Sequence, residues 1–361
     1  MNCKLEIKVK QKEIFYPIYI GKNLISKIDE IFPLENFSKI FVLTDKNVAK
    51  FWLKKCLNSF DKNRAKELIV DCGEKIKSTY FLQKIWKFLL KERADRKSLL
   101  INLGGGTIGD LGGFGAAAFL RGINFLQVPT TLISQVDASV GGKVGINFLG
   151  IKNVLGSFYH PIGVLIDVDT LKTLPKREFL SGFAEMIKMG AILDEKYFKL
   201  LSSKHPLDFK DEELINLIKR AVQLKAKIVS LDEKEAGLRR ILNFAHTIGH
   251  AIESLSQKTK TPLLHGEAIS LGMIAETKIS HLMGLIGDED FEKIVEAILK
   301  AKLPVVIKGI DAKKVMKLIY FDKKVERGEI NWTLLQKIGK ATVNQKVPKE
   351  IVEQSLKWIL K

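Results

Sequence analysis

Short apolar runs alternate with helical patterns through the first half of the chain. Five of these runs, each followed by polar or glycine residues, are residues 39–43, 67–70, 99–103, 125–128 and 164–166. Between them, residues 81–90 carry apolar side chains at helical spacing. Strands that alternate with helices predict a parallel α/β sheet. Ligands bind at the carboxyl ends of the strands in such sheets, and the distinctive residues of this chain fall there.

The pattern changes near residues 170–175, and the second half of the chain is mostly helical. Apolar side chains recur at helical spacing from residue 214 to residue 228, and Asp288 opens another helix. We therefore predict an N-terminal α/β domain over residues 1–173 and a C-terminal all-helical domain over residues 174–361.

The composition is that of an average globular protein, but the chain is strongly basic. It has 59 lysines and arginines against 41 acidic residues, a net charge of +18. The lysines are spread along the chain rather than clustered with aromatic residues, which favours a solvated surface over a nucleic-acid-binding one. Part of the excess charge is expected to line a pocket for a phosphorylated, carboxylated substrate. We expect neither nucleic acid nor a membrane as a partner.

Cysteine usage and the first residues indicate the compartment. The three cysteines are widely spaced and form no CxxC motif, which argues against a disulfide framework and a cysteine zinc site. Residues 4–10 alternate polar and apolar side chains, which predicts a strand rather than a secretory signal. The protein is therefore expected in the cytoplasm.

A glycine-rich loop follows the strand predicted at residues 99–103. It has the sequence GGGTIGD over residues 104–110 and precedes an alanine-rich helical segment. Glycines let a backbone approach a pyrophosphate, and the amides of a helix N-terminus bind it. The loop lacks GxGxxG spacing, so by itself it fits a tight structural turn as well as a phosphate loop. The GEKIKS stretch at residues 73–78 also follows a strand, and is either a surface turn or a further contact to a nucleotide.

Histidines are few, and two of them fall on one helical face. His246 and His250 are four residues apart, and His265 follows in an LHGE sequence. Glu185 and Lys188 share a face of another predicted helix. Two imidazoles and one carboxylate with an open position form the donor set of a catalytic zinc site. A histidine pair at this spacing also arises by chance, so spacing alone leaves a metal site and a structural role open.

Cations and amides lie close to the glycine and histidine motifs. Lysine and arginine suit phosphate and carboxylate recognition. Each residue alone would be an ordinary surface group, but together they favour an anion pocket. The set comprises Lys143, Asn147, Lys152, Asn153, Lys225, Arg239 and Lys323.

Together these segments resemble the 3-dehydroquinate synthase family, which belongs to the sugar phosphate cyclases. The ordered matches in the first half are PTTL at 129–132, QVDASVGGK at 135–143 and GIKN at 150–153. Those in the second half are AE at 184–185, GLR at 237–239, HTIGHAIE at 246–253, HGEA at 265–268 and DKK at 322–324. The resemblance covers most of the chain.

The resemblance implies a Rossmann-like NAD-binding domain, a helical domain that binds metal and substrate, and an active site between them. It implies a homodimer in which Arg121 reaches the site of the partner subunit. One divalent metal ion, zinc or alternatively cobalt, would be held by Glu185, His246 and His265. The residues implied for NAD binding are Asp45, Glu74, Lys77, Gly105, Gly106, Thr107, Ile108, Gly109, Asp110, Thr130, Thr131, Asp137, Lys143, Lys152, Thr170, Leu171, Lys172 and Thr173.

Substrate and catalytic residues follow from the same resemblance. The residues implied for substrate binding are Arg121, Asp137, Lys143, Asn153, Lys188, Lys225, Arg239, Asn243, His250 and Lys323, with Lys324 as the alternative to Lys323. Those implied for catalysis are Lys143, Glu185, Lys188, Arg239, Asn243 and His250, the last as a proton relay. The chain departs from the family at Ala245, where glycine is usual, and at Thr107, where valine is usual. Both departures affect packing beside the site.

The activity implied is the conversion of 3-deoxy-D-arabino-heptulosonate 7-phosphate to 3-dehydroquinate and phosphate. This carbon–oxygen lyase reaction of the shikimate pathway leads to chorismate and the aromatic amino acids. It combines transient oxidation by NAD, β-elimination of phosphate, reduction, ring opening and an intramolecular aldol. The alternatives are another sugar phosphate cyclase and a metal-dependent NAD alcohol dehydrogenase of the glycerol dehydrogenase type. A basic nucleic-acid-binding protein would leave the histidine motif unexplained.

Overall fold

The computed structural model describes residues 15–61, 64–321 and 330–361, which form two compact units. The first unit extends to Pro175 and includes Lys225–Ser230, and the second comprises Lys176–Leu224 and the residues from Leu231 onward. The division falls near the predicted boundary at residue 173, whereas the grouping of Lys225–Ser230 with the first unit differs from that prediction. The strand predicted at residues 4–10 lies outside the described residues, as do Lys323 and Lys324.

A parallel sheet of six described strands is the centre of the first unit. The strands of the unit are β1 Ile18–Gly21, β2 Ile40–Asp45, β3 Ala65–Val70, β4 Leu99–Gly104, β5 Asn124–Pro129, β6 Lys143–Phe148, β7 Ile151–Phe158 and β8 Gly163–Asp167. The sheet order is β1-β8-β5-β4-β2-β3, and all its neighbouring strands are parallel. Strands β6 and β7 form a separate antiparallel hairpin. The parallel α/β sheet predicted from the sequence is confirmed.

Helices cover both faces of this sheet, as parallel sheets require. They are α1 Ile28–Ile31, α2 Lys46–Val48, α3 Lys54–Leu57, α4 Thr79–Lys91 and α5 Gly106–Ala118. Successive side chains of a strand point to opposite faces. Ile40 and Val42 of β2 therefore pack in one buried cluster, and Phe41 and Leu43 pack in another. Burial on both faces explains why these strands are continuous apolar runs.

Helix α5 lies unusually close to the strands beneath it because it is rich in glycine. A Cβ on Gly112 would lie 2.0 Å from Oδ1 of Asn102 in β4. A Cβ on Gly113 would lie 2.4 Å from Cγ1 of Val144 in β6. Any side chain at these positions would force the helix away from its neighbours. Close packing at these glycines thus holds the start of α5 near the end of β4.

The second unit is mainly helical. Its elements are α6 Lys176–Leu193, α7 Glu195–Leu201, α8 Asp211–Leu231, α9 His246–Ser256, α10 His265–Leu282, α11 Asp288–Lys300, α12 Ala312–Phe321, β9 Trp332–Lys337, β10 Lys340–Gln345 and α13 Lys349–Ile359. Residues 225–230 of α8 are those grouped with the first unit. The predicted helical character is confirmed, but the unit is not all-helical, because β9 and β10 pair as an antiparallel hairpin. Strand β9 is largely buried by its apolar side chains.

Helix α10 is the centre of the second unit and packs against α6 and α9 at glycine positions. A Cβ on Gly266 would lie 1.8 Å from the carbonyl oxygen of Ser181 in α6. A Cβ on Gly272 would lie 2.0 Å from the carbonyl oxygen of Ala245, the residue before α9. These contacts leave no room for side chains, so the three helices have fixed relative positions.

The apolar runs predicted most of the sheet but not all of it. The predicted strands at 39–43, 67–70, 99–103, 125–128 and 164–166 appear as β2, β3, β4, β5 and β8. The helical pattern at 81–90 lies within α4. Strand β1 and the β6–β7 hairpin were missed, because β1 is short and the hairpin is interrupted by glycine and polar residues. None of the described helices combines the length and apolar composition needed to cross a bilayer.

Candidate functional site

The glycine loop joins β4 to α5 and leaves no room for side chains. Gly104 ends the strand, and Gly105 immediately precedes the helix. A Cβ on Gly104 would lie 2.6 Å from Cβ of Ile108, and one on Gly105 would lie 3.0 Å from Cγ2 of Thr131. The first amides of a helix have no partners within it. The loop therefore brings an open backbone and the amide end of α5 to the carboxyl edge of the sheet, where an anion is favoured.

A buried hydroxyl without a partner lies beside this loop. The amide of Thr130 donates to the carbonyl of Gly104 over 3.0 Å. Its Oγ1 is buried and makes no hydrogen bond within the part of the chain that the structure describes. An unpaired buried hydroxyl is costly. A polar ligand at the loop would remove that cost, which supports the predicted role of Thr130 in cofactor binding.

Several residues predicted to bind the cofactor meet at the start of α5. Lys77 is buried, and its ammonium lies 2.7 Å from Oδ2 of Asp110 and 3.7 Å from Oε1 of Glu74. It also donates to the side-chain oxygen of Asn153. The hydroxyl of Thr107 donates to Glu74 over 3.3 Å. Burial raises the pKa of Asp110 although Lys77 opposes the change. The GEKIKS stretch thus packs against the start of α5 and contacts residues predicted to bind the cofactor.

Asn147 holds this group together, a role that the sequence analysis did not assign to it. Its Nδ2 donates to Oε1 of Glu74 over 2.9 Å, and its Oδ1 accepts from the amide of Asn153 over 2.9 Å. The amide of Asn147 also donates to the carbonyl of Lys77. The signal available in the sequence was its position as a polar residue within an apolar run. The β6–β7 hairpin is therefore tied to the loop at residues 74–77.

The buried side chain of Lys225 forms an ion pair with the partly exposed Asp137 within the first unit. The ammonium lies 2.6 Å from Oδ1 of Asp137 and also donates to the carbonyl oxygen of that residue. Both were predicted to bind substrate, and the structure brings them together. The pair explains why residues 225–230 group with the first unit. Lys143, Lys152 and Arg121, in contrast, are exposed.

The remaining residues predicted for the cofactor have structural contacts of their own. Asp45 caps α2 by accepting from the amides of Asn47 and Val48. Thr173 accepts from Nε1 of Trp52 over 2.8 Å. Thr170 donates to the carbonyl of Asp167. These residues lie at or just beyond the carboxyl ends of β2 and β8.

The predicted metal-binding residues converge in the second unit. Glu185 and Lys188 lie on α6, His246 and His250 on α9, and His265 opens α10. Nε2 of His265 lies 3.4 Å from Oε1 of Glu185, and Nε2 of His246 lies 3.8 Å from the same oxygen. Ring nitrogens of the three histidines lie within 4.8 Å of one another. The chance histidine pair considered from the sequence is thus part of a compact cluster.

The second nitrogen of two of these histidines faces an acceptor. Nδ1 of His246 lies 3.0 Å from the carbonyl oxygen of Phe244, which can only accept, so Nδ1 carries the proton. Nδ1 of His265 lies 3.5 Å from a carboxylate oxygen of Glu253. Metal-binding histidines typically have such outer partners, which leave Nε2 free to bind. Both Nε2 atoms accordingly face Glu185. No role was assigned to Glu253 from the sequence, although its seven-residue spacing from His246 places it on the same helical face.

Burial and charge determine the protonation of this cluster. Burial raises the pKa of Glu185, but Lys188, 2.6 Å away, and His265 outweigh it, so that pKa is well below its usual value. Burial and the neighbouring Lys188 lower the pKa of His246 well below its usual value. Burial lowers the pKa of His265, but Glu185 and Glu253 outweigh it and raise that pKa to about 9. The cluster thus provides an ionised carboxylate and a neutral imidazole, and a metal ion would displace the proton of His265.

Ala245 precedes α9 in a left-handed backbone conformation, with φ of 70° and ψ of −10°. This conformation costs a residue with a Cβ about 1–2 kcal/mol relative to right-handed backbone, whereas glycine adopts it freely. The departure from the family at this position therefore affects backbone strain as well as packing. The strain lies immediately before His246.

Arg239 and Asn243 lie on the short helix Leu238–Asn243 that leads into this turn. Arg239 is buried, and its guanidinium donates to the carbonyl of Glu233. Nδ2 of Asn243 donates to a carboxylate oxygen of Glu235 over 2.6 Å. Lys188 donates to the carbonyl of Leu242 over 2.9 Å, which connects α6 to the same segment. Arg239 and Asn243 thus lie in the segment just before His246, and Lys188 links that segment to Glu185.

Comparisons with known proteins agree with this arrangement. The family model for the N-terminal part of 3-dehydroquinate synthase matches residues 67–181, and that for its C-terminal part matches residues 182–325. The 3-dehydroquinate synthase of Thermodesulfovibrio yellowstonii is 41% identical over 359 residues, which cover 97% of this chain and 99% of that protein.

Solved structures show the same fold. A crystal structure of 2-deoxy-scyllo-inosose synthase with carbaglucose-6-phosphate, NAD+ and Co2+ has a TM-score of 0.87 and 24% identity, and covers 98% of this chain and 99% of that one. ValA, the 2-epi-5-epi-valiolone synthase of Streptomyces hygroscopicus, with NAD+ and Zn2+, has a TM-score of 0.86 and 23% identity, and covers 96% and 97%.

We predict that His246→Ala abolishes binding of a divalent metal ion. The variant removes one of two nitrogens that face Glu185, so the loss should exceed the ~10- to 100-fold typical of outer-shell changes. Metal content after dialysis against Zn2+, measured by atomic emission, is the readout. His281→Ala is the matched control. His281 lies at the opposite end of α10 from His265 and pairs with Asp288 at the start of α11. Full metal content in His246→Ala would show that His246 is not a ligand.

Proposed function

The chain belongs to the 3-dehydroquinate synthase family, and we propose that it converts 3-deoxy-D-arabino-heptulosonate 7-phosphate to 3-dehydroquinate and phosphate. The observation that carries this proposal is the 41% identity to a 3-dehydroquinate synthase over nearly the whole of both chains. The reaction makes the protein a carbon–oxygen lyase of the shikimate pathway. We place it in the cytoplasm, in keeping with its cysteine usage.

We assign NAD to the glycine loop of the first unit. The close approach at Gly104 and Gly105 and the unpaired hydroxyl of Thr130 fit a ligand with a pyrophosphate and polar ribose groups. NAD, when bound, supplies a reversible hydride acceptor. In this assignment Lys77 and Asp110 orient the residues around the loop, because their ion pair fixes the loop at 74–77 against α5. Two proteins of the same fold were crystallised with NAD+.

One divalent metal ion is assigned to Glu185, His246 and His265, with zinc or cobalt as the ion. The donor set fits, because two imidazoles face one buried carboxylate and both have outer acceptors for their second nitrogens. The ion, when bound, supplies Lewis acidity that lowers the pKa of a coordinated hydroxyl. His250 lies in the same cluster, with its ring centroid 4.9 Å from that of His246, and we assign the proton relay to it.

Cationic residues and one amide are assigned to bind the two anionic groups of the substrate. We assign the phosphate to Lys143, Asn153, Arg239 and Lys323, and the carboxylate to Lys225 and Arg121. Arg239 is held by Glu233 and is therefore oriented before substrate binds. Lys225 already pairs with Asp137, so its charge is partly satisfied and an incoming carboxylate must compete with Asp137. Lys188 stabilises the ionised form of Glu185.

We propose that the protein forms a homodimer through the β6–β7 hairpin. Every residue of β7 is exposed although the strand is largely apolar. A monomer rarely exposes a contiguous patch of this kind, and exposed strands offer unpaired backbone groups. The exposed apolar residues of the hairpin are Phe148, Leu149, Ile151, Val154, Leu155 and Phe158. A second copy of the chain is the occupant that the family resemblance implies.

The reaction is tested by following phosphate release and NADH absorbance in the same sample. We expect phosphate release from the heptulosonate phosphate that requires NAD and is abolished by a chelator, without accumulation of NADH. Re-addition of Zn2+ should restore the release. Steady accumulation of NADH would instead identify an alcohol dehydrogenase. No release from this substrate would contradict the proposal and favour a cyclase for another sugar phosphate.

We predict that Arg239→Ala raises KM and lowers kcat together. A hydrogen bond to a charged group is lost in the ground state, which raises KM, and this bond is stronger in the transition state, which lowers kcat, so kcat/KM should fall by about 10- to 100-fold. Arg220→Ala is the matched control, because Arg220 pairs with Asp194 at the surface. An unchanged kcat/KM would exclude Arg239 from substrate binding.

We predict that replacing Val154 and Leu155 together by lysine converts a dimer into monomers. The two side chains lie on opposite faces of the hairpin, and charged residues on both faces oppose its burial. Light scattering coupled to gel filtration gives the mass, and circular dichroism checks the fold. Leu231→Lys, at an exposed leucine outside the hairpin, should leave the mass unchanged. A dimer that survives the double substitution would place the interface elsewhere.

A further inference from the structure

A carboxylate from another helix caps the N-terminus of α9, the helix that carries His246 and His250. The first amides of any helix need partners outside it. Ala245 and Ile248 have apolar side chains and supply none. Glu276 of α10 accepts from the amide of Ala245 over 2.6 Å with Oε2, and from the amide of Ile248 over 3.1 Å with Oε1.

This arrangement is a capping box that the neighbouring helix supplies. In an ordinary capping box, side chains at the first position and three residues later satisfy these same two amides. Glu276 satisfies both with one carboxylate, which is fully buried. Burial of a carboxylate is costly, and the two amides together with the positive end of the α9 dipole offset the cost. A buried carboxylate at this point is therefore retained for the geometry that it imposes.

Glu276 fixes the conformation of the turn before His246. Glu276 holds the amide of Ala245, which is strained by its left-handed backbone. Gly272, one turn earlier on α10, leaves the space that the carbonyl of Ala245 occupies. The residue before Ala245, Phe244, provides the carbonyl that faces Nδ1 of His246. Helix α10 thus contacts Ala245 at both its amide and its carbonyl, and that amide belongs to the same peptide unit as the Phe244 carbonyl that directs the His246 ring.

We propose that Glu276 is a positioning residue for the metal site. It acts through Ala245 and the first turn of α9, and it fixes the His246 ring relative to His265, which opens its own helix. The inference rests on the metal site proposed above. It adds a residue that is not one of the three proposed ligands and whose loss should alter the metal's environment.

The test is Glu276→Gln, which is nearly isosteric but can accept from only one of the two amides. We expect the dissociation constant for Zn2+, measured by competition with a chromophoric chelator, to rise by about 10- to 100-fold. The visible absorption of the Co2+-loaded protein should also change in position or intensity. Ser280→Ala is the matched control. Ser280 is buried one turn further along α10, accepts from the amide of Leu335 and donates to the backbone carbonyl of Glu276, so its loss affects stability but leaves the Glu276 carboxylate in place at the turn.

A second substitution separates positioning from general stability. Glycine adopts the left-handed backbone of residue 245 without the strain that alanine has there. Ala245→Gly should therefore favour this backbone conformation by a factor of about five to thirty. The double variant should therefore bind zinc about fivefold or more tightly than Glu276→Gln alone. If Glu276→Gln alone does not fold, the double variant is compared with Ala245→Gly alone, and a tenfold weaker affinity is still expected.

The outcomes distinguish this inference from the function on which it rests. A Glu276→Gln protein that binds Zn2+ within twofold of the wild type, with an unchanged Co2+ spectrum, would contradict the positioning role even if it melts at a lower temperature. Equal losses in Ser280→Ala would contradict it as well. A wild-type protein that binds no Zn2+ or Co2+ would instead overturn the metal site itself, and the inference with it.

Discussion

The close packing of α10 against α6 and α9 is the constraint on which the second unit depends. Glu185 lies on α6, His246 and His250 lie on α9, and His265 lies on α10, so these side chains meet only because the three helices pack together. The carbonyl oxygens of Ser181 and Ala245 lie where side chains on Gly266 and Gly272 would have to be. Backbone atoms at such distances tolerate little sliding, because a shift in either direction produces overlap or a void. The positions of Glu185, His246 and His265 therefore depend on the absence of side chains at Gly266 and Gly272 of α10.

Buried charges in both units are neutralised over short distances. Lys188 lies against Glu185 in the second unit, and Lys77 against Asp110 and Lys225 against Asp137 in the first. A buried ion pair contributes little net stability, but removal of one partner leaves an uncompensated charge. These pairs consequently make the sites polar without making them unstable, and they keep each cation in one orientation. The large positive charge of the chain is mostly a surface property, whereas the buried cations relevant to the sites are few and paired.

The fold could be predicted from the sequence where burial is two-sided, because strands such as β2 and β4 must then be continuous apolar runs. The β6–β7 hairpin could not, since the side chains of β7 are exposed and the hairpin follows neither a helical nor an alternating pattern. The four-residue spacing of His246 and His250 located the cluster on one helix, but only the packing of three helices brings Glu185 and His265 to it. Glu276 gave no signal, because an isolated acidic residue in a buried helix has no local partner from which its role could be inferred. Glu253 and Asn147 were within predicted motifs, but their contacts depend on tertiary structure.

The order of strands in the sheet has a consequence for synthesis of the chain. Strand β1 pairs in parallel with β8, so that Ile18 lies opposite Val164. Asp167, at the end of β8, also accepts from the amides of Leu24 and Ile25. Among the strands that the structure describes, β1 has β8 as its neighbour, so this pairing forms only after almost all of the first unit has left the ribosome. Pairings of such long sequence separation form late and slowly. During translation, the contact that joins the first described strand to the sheet is therefore among the last of that sheet to form.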